Sequence, residues 1–218
     1  MPRRLKSTKP LIYVFCEGES EQAYTDFLKK RFEYAAAIKR PSKTGLFEEA
    51  DASFQKDQKF RDAAEVMDEI WFFFDVESDD IGKWAQRYKI IKRLRALRKG
   101  AKIRVRLLMT TGCMEYWLML HYKFYSPPIV SVSDKERILE DIIAQEPAYT
   151  KGNYPVTARI AEHYPTAVSH AKRILYALLQ DGLPELEDTD ERNQWLYTNC
   201  KTFSTVYEAI EYLEQLPQ

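Results

Sequence analysis

The sequence predicts an α/β protein in which a mainly parallel sheet has helices on both faces and is followed by a mainly helical C-terminal part. In the first half, strand-like apolar runs alternate with segments of helical periodicity, the pattern of a doubly wound sheet. Two of these runs, Leu11 to Phe15 and Ile70 to Phe74, break into acidic residues. Beyond about residue 111 no comparable strand signal follows. We therefore expect an α/β domain over 8–112 and a helical region packed on it over 113–218.

The first elements are predicted from local signals. Leu11 to Phe15 reads as a buried strand between Pro10 and Gly18. Ser20 is a candidate N-cap for the helix that follows, because apolar residues then recur at helical spacing. The segment "YAAAIK" predicts a short second strand, and the polar residues 46–68 predict helix in part.

The next elements carry most of the positive charge. Apolar residues recur every three or four positions from Trp84 to Lys99, which predicts an amphipathic helix ended by Gly100. In "KIRVRLL" basic and apolar residues alternate, so this strand is expected to have one apolar and one basic face.

The C-terminal half predicts helices. "CMEYWLMLHY" is helical, and His121 on its apolar stripe is expected to be a core histidine rather than a general base. Between two later helices lies "DGLPELEDTDE", an acidic stretch that we expect to be a solvated loop. The further helices are expected near 133–144, 165–180 and 203–215.

Composition indicates a soluble globular protein, with 45% hydrophobic and 30% charged residues. No apolar run is long enough to predict a membrane span, and the basic start lacks the apolar core of a secretory signal. Cys16, Cys113 and Cys200 form no CxxC pair, so neither a disulfide scaffold nor a structural zinc site is expected. A reducing cytoplasm is the expected location.

The zero net charge hides an asymmetry between the two halves. Residues 1–110 hold 24 Lys and Arg against 17 Asp and Glu, whereas residues 111–218 hold 9 against 16. The basic half would attract a polyanion such as nucleic acid, although solvated helix faces would give the same pattern. The candidate phosphate contacts are Arg87, Lys92, Arg93, Arg95 and Arg104.

Acidic residues follow two neighbouring strands of the predicted sheet. Glu17 follows the first strand, and Asp75 and Glu77 follow the strand "WFFF". Functional groups in parallel sheets gather at the carboxyl ends of strands. Carboxylates brought together there repel one another unless a cation neutralises them, and oxygen-only ligation suits Mg²⁺ or Mn²⁺. The alternative is that these acids only start helices at favourable dipole ends.

These motifs resemble the TOPRIM arrangement of topoisomerases, primases and OLD-family nucleases. More closely, the chain resembles the RloB-like family of bacterial proteins, which is linked to restriction and abortive-infection loci. The likeness runs from about residue 10 to the C-terminus and is carried by the order and spacing of the motifs. The matching segments are "CEGESEQAY", "FFFDVESDD", "CMEYWLMLHY", "YTKGNY" and "TFSTVYEAIEYL".

The resemblance implies roles for particular residues. Glu17, Asp75 and Glu77 would hold Mg²⁺ or Mn²⁺, and Glu21, one helical turn from Glu17, is a candidate for a second ion. Two residues are further catalytic candidates: Glu115 matches a family glutamate, and Lys151 matches a family lysine that would meet charge in the transition state. The sequence also departs from the family pattern, in the glutamate of Asp75-Val76-Glu77 and in Thr110-Thr111-Gly112, where the family has Ser-Asn-Pro.

The function expected from the resemblance is a metal-dependent nuclease in bacterial phage defence or abortive infection. A second hypothesis is a non-catalytic adaptor that binds nucleic acid or a partner protein of a defence operon and retains a relic acidic site. A third is another phosphoryl-transfer enzyme acting on nucleotides. Intact acids favour the first hypothesis, and the altered Thr-Thr-Gly segment favours the second.

Overall fold

The computed structural model describes residues 9–199 and 201–217 and contains one all-parallel sheet. Cys200 and the basic residues that precede Lys9 lie outside the described residues. The strand order is β2-β1-β3-β4, which with the surrounding helices confirms the α/β class. The strands are β1 Leu11–Cys16, β2 Ala37–Lys39, β3 Glu69–Val76 and β4 Arg104–Thr111.

Ten α-helices surround and follow the sheet in the described part of the chain. No helix among them has both the length and the apolar character needed to cross a membrane. The N-terminal helices are α1 Glu19–Arg31, α2 Phe47–Lys56, α3 Gln58–Ala64 and α4 Trp84–Arg95. The C-terminal helices are α5 Met114–Met119, α6 Val132–Gln145, α7 Tyr154–Ala161, α8 Tyr164–Leu178, α9 Asp190–Asn199 and α10 Tyr207–Gln215.

Helices pack on both faces of the sheet because successive residues of a strand point to opposite faces. On one face, Phe72 of β3 stacks on Phe47 of α2, with 4.1 Å between the ring centroids. On the other face, the next residue, Phe73, meets the edge of Tyr24 from α1. This double coverage explains why "WFFF" is continuously apolar rather than alternating.

Helices α7 and α9 were not predicted from the sequence. Asn153 caps α7 by accepting a hydrogen bond from the backbone N–H of Val156, and Pro155 lies in its first turn. This start signal is present in "NYP". Helix α9 has no clear apolar stripe because its buried face includes Arg192 and Asn193, so periodicity could not predict it.

Strand β4 does not present the open basic face that its alternating sequence predicts. Arg104 is exposed, but Arg106 is buried and pairs with Glu69 on β3 at 3.2 Å. Tyr212 of α10 covers the guanidinium of Arg106, 5.0 Å from the ring centroid. A buried arginine requires such partners. The helix that covers this face is remote in sequence, so alternation alone could not reveal it.

The acidic stretch after α8 is a loop as far as residue 189, as predicted, but it is only partly solvated. The Asp188 side chain is 10% exposed and pairs with Arg104 at 3.0 Å and with the buried Arg192 at 3.3 Å. Asp190, at the start of α9, pairs with Arg95 of α4 at 2.7 Å. The acidic half therefore neutralises part of the basic half, and the charge asymmetry of the sequence is smaller in the folded protein.

Residues 203–205 run along the outer edge of β4. The backbone N–H of Thr205 donates to the carbonyl of Met109, and the Thr205 hydroxyl accepts from the Met109 N–H, both at 2.8 Å. The same hydroxyl donates to the carbonyl of Leu107 at 2.8 Å. Ser204 forms an isolated antiparallel bridge with Thr110. The C-terminal segment thus provides hydrogen-bond partners for backbone N–H and carbonyl groups of β4 that face no neighbouring strand.

We predict that Thr205→Val lowers the free energy of unfolding by about 1–3 kcal/mol. Valine has nearly the same shape, but it leaves the buried Met109 N–H and Leu107 carbonyl without their side-chain partner. Urea denaturation measures the change. Thr198→Val is the matched control, because that hydroxyl bonds only the Gln194 carbonyl in its own helix. Equal stability of the two variants would contradict this role for Thr205.

Candidate functional site

The pairing of β1 with β3 brings Glu17 beside Asp75. Cys16 is opposite Phe73 in the parallel register, and the ladder continues past the end of β1. The Glu17 N–H donates to the Phe73 carbonyl at 3.0 Å, and the Asp75 N–H donates to Glu17 Oε2 at 2.9 Å. The two acids therefore occupy the same carboxyl edge of the sheet.

A cleft of about 350 Å³ opens at this edge. Its walls come from the end of β1, the first turn of α1, β3, the first turn of α5 and the loop before α7. The side chains that matter chemically are Glu17, Glu21, Asp75, Glu115 and Lys151. Four separate parts of the sequence thus bring these four carboxylates and one amine to one cleft, and a fifth carboxylate, the exposed Glu19, also lines it.

Glu21 is 3% exposed and lies in the first turn of α1. Its Oε2 accepts a hydrogen bond from the N–H of Gly18 at 3.1 Å, which caps the helix. Burial, together with the charges of Glu17 and Glu115, raises the pKa of Glu21 to about 7, although hydrogen bonds from backbone N–H groups oppose the shift. Glu21 therefore caps α1 and also contributes a carboxylate to the acidic cleft.

Asp75 is the acid of the cleft whose ionised form is most strongly disfavoured. Its Oδ1 is buried and has no hydrogen-bond partner among the described residues. Burial raises the pKa of Asp75 well above its ordinary value, and the charges of Glu21, Glu17, Glu115 and Glu77 add to the effect. The pKa of Glu17 is also raised by burial, although the hydrogen bond from Asp75 and the charge of Arg87 oppose the shift. The cluster holds more negative charge than its neighbours balance.

Glu115 is 2% exposed and both of its oxygens are engaged. Oε1 accepts from the Tyr149 hydroxyl at 2.9 Å, with Ser20 Oγ at 3.5 Å, and Oε2 lies 3.5 Å from Lys151 Nζ. Burial lowers the pKa of Lys151, but attraction to Glu115 outweighs it and the net pKa is raised. Glu115 therefore holds Lys151, as the ammonium ion, at the rim of the cleft.

Glu77 is not brought into the cleft. Its side chain is 45% exposed, and Oε1 pairs with Lys135 of α6 at 2.5 Å. The spacing of Asp75 and Glu77 predicted that both would aim at one ion, but the Lys135 amine takes up one carboxylate oxygen of Glu77. Lys135 lies 58 positions further along the chain, so no local signal indicated this pair.

Arg87, one of the predicted phosphate contacts, is buried near the acids and does not lie on the protein surface. Its guanidinium donates to the Tyr197 hydroxyl at 2.6 Å and lies 3.4 Å from Asp80. The rings of Phe47 and Tyr197 face it at 5.2 and 5.4 Å. Its charge lowers the pKa of Glu17, so Arg87 acts as a fixed counter-charge to the site. Sequence reasoning missed Tyr197, an isolated tyrosine, and assigned no role to Tyr149, although Tyr149 begins the matching segment "YTKGNY".

The other predicted phosphate contacts lie on or beside α4, and three of them are engaged within the protein. Arg93 forms a bidentate pair with Asp51, at 2.6 and 3.1 Å. Arg95 and Arg104 pair with Asp190 and Asp188, as described above. Lys92 is exposed, and its ammonium lies 4.8 Å from the ring centroid of Tyr88.

The Thr110-Thr111-Gly112 segment has a structural role at the end of β4. The Thr110 hydroxyl contacts Ser204 at 3.0 Å and the Thr111 hydroxyl donates to the Lys201 carbonyl at 2.7 Å, so both side chains engage the C-terminal segment. Gly112 has φ +79°, and a Cβ there would lie 2.3 Å from Ile129 Cγ2. Only glycine fits this turn.

His121 is a core residue, as its position on the apolar stripe indicates. It is buried, with Nε2 3.2 Å from the Tyr24 hydroxyl and Nδ1 3.0 Å from the Trp117 carbonyl. Burial lowers the pKa of His121 to about 3, so the ring is neutral at physiological pH.

The donor chemistry of the cleft fits a hard divalent cation. Its carboxylates offer oxygen ligands only, and the partnerless Asp75 Oδ1 faces the charge of its acidic neighbours. Within residues 9–199 and 201–217, no three His, Cys, Asp or Glu side chains are already arranged to hold a metal ion together. Binding would therefore require side-chain movement, for which the exposed Glu77 would leave Lys135 and Glu17 would give up its hydrogen bond from the Asp75 N–H.

Comparison with known proteins gives one match. A family model described as "RloB-like protein" matches residues 12–213, nearly the whole chain. No curated protein and no solved structure matches the chain.

We predict that the metal-free protein loses stability as the pH rises from about 4.5 to about 7, in part through Glu21. The pKa of Glu21 is raised from 4.5 to about 7 in the folded protein, which thus binds more protons than the unfolded chain in this window. Glu21→Gln should remove roughly 1–3 kcal/mol of this loss, at 1.36 kcal/mol per pKa unit. Urea denaturation in EDTA across the window measures it.

Glu19→Gln is the control for that experiment, because Glu19 lies in the same helical turn but is exposed. Its pH profile should follow the wild type. If Glu21→Gln also follows the wild type, the carboxyl group of Glu21 is not held in its protonated form by the fold.

Proposed function

Because the chain belongs to the RloB-like family, we propose that it is a metal-dependent nuclease that hydrolyses phosphodiester bonds of nucleic acid in bacterial phage defence or abortive infection. The observation that carries the proposal is the partnerless, buried Oδ1 of Asp75 beside Glu17. Arg87 and Lys151 balance only part of the charge that these carboxylates carry when ionised, and a bound cation would balance the rest. The acids lie where parallel sheets place functional groups.

In this proposal Glu17 and Asp75 hold Mg²⁺ or Mn²⁺. Glu21 supplies a further carboxylate from the first turn of α1, and Glu77 joins if it leaves Lys135. Either ion, when bound, activates a water and stabilises negative charge during phosphoryl transfer.

Lys151 would bind the phosphate at the rim of the cleft. Its ammonium group is held by Glu115, which Tyr149 and Ser20 hold in turn. An ammonium fixed in this way stabilises negative charge that develops on the phosphate oxygens without reorganising during the reaction. Glu115 and Tyr149 are positioning residues in this scheme, because their polar atoms are already engaged with Lys151 and with each other.

The second candidate is a non-catalytic defence adaptor in the cytoplasm that binds nucleic acid or a partner protein of its operon. The ion pair between Glu77 and Lys135 favours it, because this pair withdraws one expected carboxylate from the cleft. The adaptor and the nuclease differ in whether metal binds and whether diesters are cleaved.

We predict that Glu17→Gln abolishes hydrolysis and leaves the metal-free protein as stable as the wild type or slightly more stable. The amide accepts the same hydrogen bond from Asp75 but carries no charge, so it relieves repulsion and cannot hold the cation. Mg²⁺ or Mn²⁺ should raise the melting temperature of the wild type but not of the variant.

Glu19→Gln is again the matched control and should keep both hydrolysis and the thermal response to metal. A wild type that neither cleaves nucleic acid nor responds to metal would rule out the nuclease and leave the adaptor. A lower melting temperature of metal-free Glu17→Gln would instead assign Glu17 a helix-start role, which is worth about 0.3–1 kcal/mol.

We predict that Lys151→Met lowers kcat by a factor of about 100 or more while the metal still raises the melting temperature. The substitution removes the ammonium but none of the carboxylates, and loss of one charge-stabilising donor typically has this effect. Lys172→Met is the control, because that lysine of α8 likewise has a partly exposed side chain whose ammonium pairs with one glutamate, Glu211 of α10. Unchanged kcat in Lys151→Met would exclude Lys151 from the chemistry.

A further inference from the structure

A second, basic cleft lies beside α1 and the short edge strand β2. It consists of two adjoining hollows of about 730 and 630 Å³ that share Lys29 and Lys39. We call their union the β2 cleft. Its cationic side chains are Lys29, Lys30, Lys39, Arg40, Lys43 and Lys59.

Most of these cations are not neutralised by the protein itself. Arg40 pairs with Asp26, but none of the lysines of the β2 cleft forms an ion pair among the described residues. Of the other acids that line the cleft, Asp57 caps α3 through the N–H of Lys59, which leaves Glu33 and Glu49. On α4, Arg93 and Arg95 are held by Asp51 and Asp190, whereas the exposed Lys89 and Lys92 form no ion pair among the described residues. What distinguishes the β2 cleft is that five unpaired lysines line one concave surface.

The β2 cleft runs alongside β2, and one end of it reaches the carboxyl edge of the sheet, where the acidic cleft lies. The loop that carries Arg40 and Lys43 runs against the end of β1, where the Gly45 N–H donates to the Cys16 carbonyl at 2.9 Å. Cys16 directly precedes Glu17. The Gln22 side chain of α1 also donates to the Ser42 carbonyl of this loop at 3.4 Å. A chain bound in the β2 cleft would thus lead directly to the acids.

The acids lie deep in their cleft, so a flexible ligand can reach them more easily than a rigid one. Glu21 and Glu115 are 3% and 2% exposed, and the orphaned oxygen of Asp75 is buried. Duplex DNA stays straight over about 50 nm and meets recessed groups poorly. A single strand can bend so that one phosphodiester enters the cleft while its neighbours contact lysines.

We infer that the β2 cleft binds the phosphate backbone of single-stranded nucleic acid and delivers it to the acidic cleft. This inference rests on the proposed function and assigns its substrate class and its docking surface. Lys43 and Lys59 are the two residues to test first, because both are exposed and neither anchors another side chain of the fold.

The test measures binding of a labelled single-stranded oligonucleotide by fluorescence anisotropy in EDTA over a range of salt concentrations. Lys43→Gln with Lys59→Gln should weaken binding and reduce the slope of log affinity against log salt by about 1.4. Each lost phosphate contact on a single strand removes about 0.7 from that slope. The matched control is Lys89→Gln with Lys99→Gln, which removes the same charge from the exposed residues on and just after α4 and should leave the slope unchanged.

Four results would overturn the inference. These are a wild-type slope in the Lys43 and Lys59 variant, an equal loss in the control variant, tighter binding of duplex than of single strand, and equally tight binding of polyglutamate. Hydrolysis of bis(p-nitrophenyl) phosphate by the wild type with Mn²⁺ is measured in parallel, since this small diester does not span the β2 cleft. If it is not cleaved, the proposed hydrolysis fails, whereas the salt slopes still decide where single strands bind.

Discussion

The continuation of the β1–β3 ladder beyond the end of β1 is the interaction on which the candidate site depends. The Glu17 N–H uses the Phe73 carbonyl, and the Glu17 side chain uses the Asp75 N–H, so both acids are fixed by backbone groups. A register shift of one residue would send each side chain to the opposite face of the sheet. The buried aromatic residues of β3, packed on both faces, prevent such a shift, so the core fixes the position of the acids.

Charge pairing between the two halves of the chain determines which cations remain available. Asp188 and Asp190 from the acidic half bind Arg104, Arg192 and Arg95. What looked in the sequence like a broad basic surface is, in the fold, partly a set of internal ion pairs. Among the described residues, five unpaired lysines line the β2 cleft, and others, such as Lys89 and Lys92, lie on α4. The electrostatic field around the protein, which an approaching polyanion would meet, thus depends on ion pairs between residues far apart in sequence.

The sequence was informative where structure depends on neighbours in the chain. Apolar runs predicted β1 and β3, the short β2 and the parallel sheet, and the family resemblance is confirmed over residues 12–213. It was uninformative where structure depends on remote partners. Glu77 meets Lys135, Arg106 meets Glu69 under Tyr212, and Tyr149 reaches Glu115, and none of these pairs has a local pattern. Helix α9 was hidden for a similar reason, because a buried arginine interrupts its apolar face.

The segment 203–205 along β4 also bears on how the protein avoids self-association. A sheet edge with open N–H and carbonyl groups is a template on which strands of other molecules can add, as in aggregates. Here Phe203 and Thr205 cover that edge, and the opposite edge strand, β2, is only three residues long. The covering segment lies far from β4 in sequence, since Thr110 and Ser204 are 94 positions apart. The nascent chain therefore carries an open strand edge until residues 203–205 have been synthesised, and truncation before residue 203 would yield an aggregation-prone fragment rather than a smaller functional domain.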